Sequence, residues 1–314
     1  MQILVCVSYG FIANPQFVKG FYIMSIIINT NVPALISQNA LTRATWSLNQ
    51  SLERMSTGHR INSAADDPAG SYFASGLNTQ IRAISTVTRN VQLASNMISV
   101  AEGDMQSIMN NVERVKDLAM QYSSDTLTDE QKDAIKTEAQ QRIDEINRLA
   151  EDSSFNEMKL LDGSLGASVR IQIGTNSDPA TNALNITGVF DNANAESINL
   201  IGGASDYASI DEAFAAASTA AKFIDIAQES IDVLSKRIST AGIYQNRLES
   251  ISDSLLTKNE NLNSAYSTIM DTDIATETAN YIKQQLLQQT ASSMLSQANQ
   301  NGGVLALSLV NALA

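Results

Sequence analysis

Val91, Ala94, Ile98, Ala101, Met105, Ile108, Val112, Val115, Ala119 and Tyr122 recur at alternating spacings of three and four. On a helix this places small and apolar side chains on one narrow stripe, with a mean period near the coiled-coil value of about 3.5 residues. Glu102, Asp104, Glu113, Arg114, Lys116 and Asp117 fill the intervening positions, as a solvated flank requires. The stripe is a packing seam, not the wall of a catalytic cleft. Once covered, it contributes roughly 10–20 kcal/mol of gross apolar transfer energy before ordering entropy is subtracted. It needs a second helix to cover it.

The helix has a legible start. Asp67 followed by Pro68 reads as an N-cap with proline at the first helical position, where the missing N–H costs nothing and a carboxylate suits the positive end of the helix dipole. Beyond Pro68 only Gly70, Gly76 and Gly103 interrupt the run before a turn at residues 123–127. One helix of about 50 residues, about 80 Å long, is expected. Thr128 with Gln131 has the form of a capping box and opens a third helix, whose apolar face is Ile135, Ala139, Ile143, Ile146 and Ala150. A short connection makes the two helices an antiparallel hairpin.

The expected cover for the stripe lies near the other end of the chain. Ile224, Ala227, Ile231, Leu234, Ile238 and Ala241 continue the three-four alternation, Gln245 interrupts it, and Leu248 resumes it before a register slip at Ile251, Leu255 and Leu262. Between residues 155 and 207 six glycines separate short β-prone runs. Val169, Ile171 and Ile173 alternate with Arg170 and Gln172 as in a half-buried strand, and Leu184 with Ile186 suggests its partner. This is a small β-hairpin region, too short for an independent domain.

Both extremities carry further apolar helices. Leu41, Thr45, Leu48, Leu52 and Met55 form a seam that ends at Gly58, after the run Ile26, Ile27 and Ile28. Ile282, Leu286, Leu287, Met294 and Leu295 form a broad face, followed by Val304, Leu305, Leu307, Leu309, Val310 and Leu313. Two slender terminal helices cover each other on one side only, so lateral association of many copies is the natural way to bury the rest. An ordinary helical bundle is the alternative on periodicity alone. The expected fold is mostly α: an elongated antiparallel bundle or coiled coil formed by the N- and C-terminal segments, with a small central β-hairpin region.

Composition excludes several classes of function. Lys and Arg number 20 against 33 Asp and Glu, for a net charge of −13 and a pI near 4.5, which argues against nucleic acid as a partner. With Cys6 and His59 the only residues of their types, an internal disulfide and multi-histidine or thiolate metal sites are ruled out. An H-E-x-x-H peptidase motif is impossible, and Asp66 and Asp67 are neighbours pointing in different directions rather than facing acids. No catalytic residue, cofactor or metal is implied, and no apolar run is long enough to span a bilayer. Residues 1–23 stand apart. Their apolar core of Ile3, Leu4, Val5 and Val7 has no preceding Lys or Arg and no following small-x-small cleavage site, so they read as an upstream extension or a mis-assigned start, with Met24 the natural initiator.

Several words in the chain resemble those of bacterial flagellins. They are Asn29-Thr30-Asn31, the run from Arg60-Ile61-Asn62-Ser63-Ala64-Ala65 through Asp66-Asp67-Pro68-Ala69-Gly70, and Ser154-Phe155-Asn156 with Lys159-Leu160-Leu161-Asp162-Gly163, similar to the family's FNG-x-KLLDG. Gln245-Asn246-Arg247-Leu248, Asn261-Leu262, Asp271-Thr272-Asp273-Ile274-Ala275 and Ser296-Gln297-Ala298-Asn299-Gln300 follow in the family's order. The resemblance spans residues 25–309. It implies a non-enzymatic subunit of the flagellar filament, exported through the flagellar type III system, secreted, and built into a homopolymer. Export chaperone, cap and junction proteins are the implied partners, without membrane insertion. The hook–filament junction protein, which shares the terminal helices, is the alternative.

The same resemblance divides the chain into an N-terminal filament-core helix and linker at 25–65, a long helix and its returning helix at 66–154, the β region at 155–209, a C-terminal rod helix at 210–260 and a C-terminal core helix at 261–314. Leu41, Leu48, Leu52, Ile282, Leu286, Leu287, Met294 and Leu295 are the expected polymerisation residues. Some flagellins are recognised by Toll-like receptor 5, and the matching positions here are Arg114, Leu118 and Glu138, placed by the resemblance on the surface. Glu113 and Lys116-Asp117 depart from the family's usual Gln and Arg-Glu. Ser267-Thr268-Ile269-Met270 replaces its usual Ser-Arg-Ile, and Val310 to Ala314 is longer and more apolar than its usual end.

Overall fold

A computed structural model describes residues 30–166, 168–202 and 207–313, with the side chains of 302, 303 and 305–313 excepted. The expectations placed on residues 1–29 lie outside the described residues, as do the side chains of Leu305, Leu307, Leu309, Val310 and Leu313. The elements in chain order are α1 (Val32–Thr57), α2 (Pro68–Tyr122), α3 (Asp129–Asp152), β1 (Ser154–Phe155), β2 (Met158–Lys159), β3 (Ser168–Gln172), α4 (Pro179–Asn182), β4 (Ala183–Thr187), α5 (Ile210–Ala213), α6 (Ala217–Met270) and α7 (Ile274–Leu313). The described residues fall into two compact units, one within 63–271 and one that joins residues 30–62 to residues 272–313.

In the larger unit the expected helix starts are present. The Asp67 carboxylate accepts a hydrogen bond from Gly70 N at 2.9 Å with Pro68 in the first turn, and Thr128 and Gln131 cap each other reciprocally. Every residue of the Val91 to Tyr122 stripe is buried. α6 and α3 cover it, both antiparallel to α2. Lys116 Nζ donates to Gln228 Oε1 and Gln245 Nε2 donates to Glu102 Oε2 at 2.6 Å on one side, while Arg114 reaches Glu138 and Ser153 Oγ reaches Asp104 on the other. Gln245 breaks the apolar pattern because it spends its amide on Glu102, with Ser99 Oγ at 3.3 Å.

The register of α6 differs from the sequence reading. Ala227, Leu234, Ala241 and Leu248 are buried as expected, but Phe223 and Ser230 fill the alternate positions, and Ile224, Ile231 and Ile238 are half-buried flanks. A 3.5-residue period fixes every seventh residue, whereas the intermediate one lies either three or four residues on. Nor does the register slip near Ile251: Ala220, Ala227, Leu234, Ala241, Leu248, Leu255, Leu262 and Ile269 keep a spacing of seven along α6, and the first six are buried.

β3 and β4 pair antiparallel as expected, with Val169 opposite Ile186 and Ile171 opposite Leu184. β1 and β2 form a second, two-residue hairpin. Less foreseeable is the irregular chain after β4. Val189, Phe190, Ala193, Ile198, Leu200 and Phe214 are all buried, so this segment completes the core instead of decorating it. It is tied down by polar bonds to the helices: Ala195 N donates to Asn147 Oδ1, and Arg237 donates to the carbonyl of Asn192 at 2.7 Å. Burial pushes the Arg237 guanidinium below its ordinary pKa, and the Asp191 carboxylate works against that shift. Tyr122, Phe214 and Phe223 stack edge to face, with ring centroids 5.0 and 5.8 Å apart.

Candidate assembly surfaces

The smaller unit is an antiparallel pair of α1 and α7. Asn31 Nδ2 donates to the Ala298 carbonyl at 2.9 Å, Gln288 Nε2 to Thr45 Oγ1 at 3.1 Å, and Thr272 N to the Gly58 carbonyl at 3.0 Å. Each end is capped. Gly58 closes α1 in the left-handed conformation, φ 73°, where a side chain would cost energy. Asp273 opens α7 by accepting from Ala275 N and from Thr276 N and Oγ1, bonds that hold its carboxyl below the usual carboxylate range.

The face that joins the two helices is built from small residues. Ala34, Ala44 and Ser51 on α1 and Ala291 on α7 are buried, with Leu41, Leu48 and Leu295 half-buried beside them. Leu52, a seam member by spacing, points outward at 50% exposure because Ser51 takes the seam position next to it. Ile282, Leu286, Leu287 and Met294 also lie exposed, as do Leu35, Ile36 and Trp46. Isolated exposed apolar residues are ordinary, but this many on a two-helix unit leave apolar surface uncovered on several of its sides.

Charge is segregated between the two units. Residues 1–62 and 272–314 hold five Lys and Arg against three Asp and Glu, a net +2, which leaves fifteen against thirty, a net −15, in residues 63–271. Arg43 is the single charged residue in 32–52, and residues 284–314 have none. Copies therefore meet no like-charge barrier at the α1–α7 pair. Between the two helices runs a groove of about 410 Å³ lined by Ile36, Ala40, Arg43, Leu287, Ala291 and Met294, among others.

The flank of α2 is polar. Arg114 Nε donates to Glu138 Oε1 at 2.9 Å, and Arg142 lies 4.0 Å from the same carboxylate. Glu113 is exposed next to them. Leu118, expected on this surface, is only 1% exposed: it sits in the α2–α3 core, because α3 packs back over that face of α2. Among the described residues no group of three or more His, Cys, Asp or Glu is arranged to hold a metal ion, and no helix is long and apolar enough to cross a membrane.

Comparison with known proteins accounts for this arrangement. Residues 28–165 match the bacterial flagellin N-terminal helical region and residues 224–307 the bacterial flagellin C-terminal helical region. A flagellin of Halalkalibacterium halodurans is 34% identical over 283 residues, covering 88% of this chain and 96% of that protein. The flagellar filament 30.7 kDa core protein of Treponema maltophilum is 31% identical over 281 residues, covering 87% and 96%. The solved structure of a putative flagellar hook-associated protein from Vibrio parahaemolyticus superposes with a TM-score of 0.55 over 66% of this chain and 100% of that one, and at 15% identity it shares the fold alone. Two matched regions that together hold α1, α2, α3 and most of α6 and α7, with full-length relatives on both sides of the irregular segment, place this chain in the bacterial flagellin family.

Proposed function

We infer that the chain is a structural subunit of the bacterial flagellar filament, secreted through the flagellar type III system and added to a homopolymer. The observation that carries this is the α1–α7 pair: sparsely charged, with Ile282, Leu286, Leu287, Met294, Leu35 and Ile36 exposed, on a chain that keeps 30 of its 33 acidic residues elsewhere. In this reading the pair forms the inner tube and the α2, α3 and α6 bundle the surrounding shell. Leu41, Leu48 and Leu295 hold the pair together, while Leu52, Ile282, Leu286, Leu287 and Met294 meet neighbouring subunits. The chain acts by assembly and not by catalysis. The hook–filament junction alternative gains nothing specific, since its structural likeness is one of fold alone.

The test is direct. Purified chain seeded with filament fragments is expected to extend them into helical filaments visible by electron microscopy; a chain that stays monomeric under all assembly conditions would refute the reading. The export chaperone, cap and junction proteins belong to the same proposal. So does Toll-like receptor 5, with the contact resting on Arg114 and Glu138 at the surface and Leu118 supporting them from beneath.

A further inference from the structure

Trp46 is the chain's only tryptophan, and it stands 67% exposed on α1. An indole left in water forfeits the largest apolar burial any side chain offers, about 150–250 Å². It is not among the residues that line the α1–α7 groove, because it lies about a quarter turn around α1 from Ile36, Ala40, Arg43 and Ser47, which do. Held on the same rigid helix, it cannot reach its own groove.

That groove suits an indole. Its volume of about 410 Å³ is at the low end of cavities that accept a small organic molecule, about 300–1,000 Å³. Ile36, Leu287 and Met294 supply apolar and thioether contact, and methionine sulfur favours the edge of aromatic rings. Arg43, the only charge for twenty residues of α1, is on its wall, where a guanidinium attracts the π-face of tryptophan. Donor and receiver thus occupy different faces of one unit.

We propose that Trp46 of one copy inserts into the groove between α1 and α7 of a second copy, against Met294 and Leu287 and beneath the Arg43 guanidinium. The proposal rests on the polymerisation reading and adds a specific contact to it. A knob on one face and a hole on another form a heterologous contact, which propagates as a ring or a helix instead of stopping at a dimer. The near neutrality of the pair lets copies approach closely enough to engage.

Tryptophan emission reports on this one side chain. In filaments grown from the chain on seeds, Trp46 fluorescence is expected to shift to shorter wavelength and to lose most of its quenching by acrylamide relative to the monomer. Filaments confirmed by electron microscopy in which Trp46 stays as quenchable as in the monomer overturn the proposal while leaving polymerisation intact. Failure of any filament to form overturns both.

Two substitutions locate the hole. Ala40→Phe fills the groove from its open side and Trp46→Ala removes the knob, and each is expected to raise the critical concentration for assembly about tenfold. Arg43→Gln is expected to raise it about two- to fivefold. The double variant Ala40→Phe with Trp46→Ala should assemble no worse than the poorer single variant, since both remove one contact. Additive losses would place Trp46 elsewhere in the lattice and overturn the assignment.

Discussion

Glu157 follows Asn156 in the turn between β1 and β2, and both have positive φ, 67° and 50°. Two-residue hairpin turns of this kind favour Asn-Gly, because glycine alone enters the left-handed region freely. Glu157→Gly is therefore expected to raise stability by about 0.5–1 kcal/mol, after the added freedom of glycine in the unfolded chain offsets part of the gain. The midpoint of denaturant unfolding measures it, and a fall would contradict the strain. Asp273 gives a pH prediction. Its folded pKa is lowered, chiefly by the Thr276 hydroxyl, so the stabilisation is fully present above the unfolded carboxylate value of about 3.9 and is lost as pH falls through the lower folded value. Circular dichroism should show helicity constant down to about pH 5 and falling below about pH 4, with a shallower fall in Asp273→Asn. Glu113 sets an exposed carboxylate beside the Arg114–Glu138 pair, on the surface proposed above for the receptor. Glu113→Gln should strengthen binding of the monomer to Toll-like receptor 5, and equal binding of both forms would remove Glu113 from that surface.

Among the elements, α6 shows how a correct period can carry an incorrect phase. Its sevenfold set from Ala220 to Ile269 is uninterrupted, yet the intermediate positions belong to Phe223 and Ser230, with Arg237 reaching out to the irregular segment. Ser230 tolerates complete burial because its hydroxyl donates to the Ile226 carbonyl at 3.0 Å. The register predicts a ranking. Leu234→Ala should cost about 3 kcal/mol, as a fully buried leucine does, and Ile238→Ala about 1–1.5 kcal/mol, since its side chain is half in water. Thermal melts of the two variants decide it; equal losses would restore the sequence-derived phase. The Asp67 and Thr128 caps, by contrast, were legible in the sequence itself, since a cap needs only its own next three residues, whereas the Asp273 cap emerged only with the fold.

For the whole chain, the division into an acidic bundle and a nearly neutral helical pair separates folding from assembly. The bundle of residues 63–271 contains its own core, from Ile84 on α2 to Leu255 on α6. Deleting residues 282–314 is expected to abolish polymerisation, because it removes Leu286, Leu287 and Met294 and most of the cover on α1, while the bundle keeps its cooperative melt. Electron microscopy and calorimetry of the truncated chain check the two halves separately, and loss of the cooperative transition would mean that the bundle depends on the missing segment.

The sequence alone determined the helices, the caps at Gly58, Asp67 and Thr128, the antiparallel hairpin, the β3–β4 pair, the burial of the Val91 to Tyr122 stripe and the family. Each depends on periodicity or on residues a few positions apart, which a chain displays before it folds. Only the tertiary structure decided the phase of α6, the burial of Leu118, the outward turn of Leu52, and the use of residues 189–214 as core. Those depend on which other segment arrives at a given face. Trp46 belongs with them: nothing in its neighbours along the chain distinguishes a core tryptophan from an exposed one, and its exposure beside a groove it cannot itself fill exists only once α1 and α7 have paired.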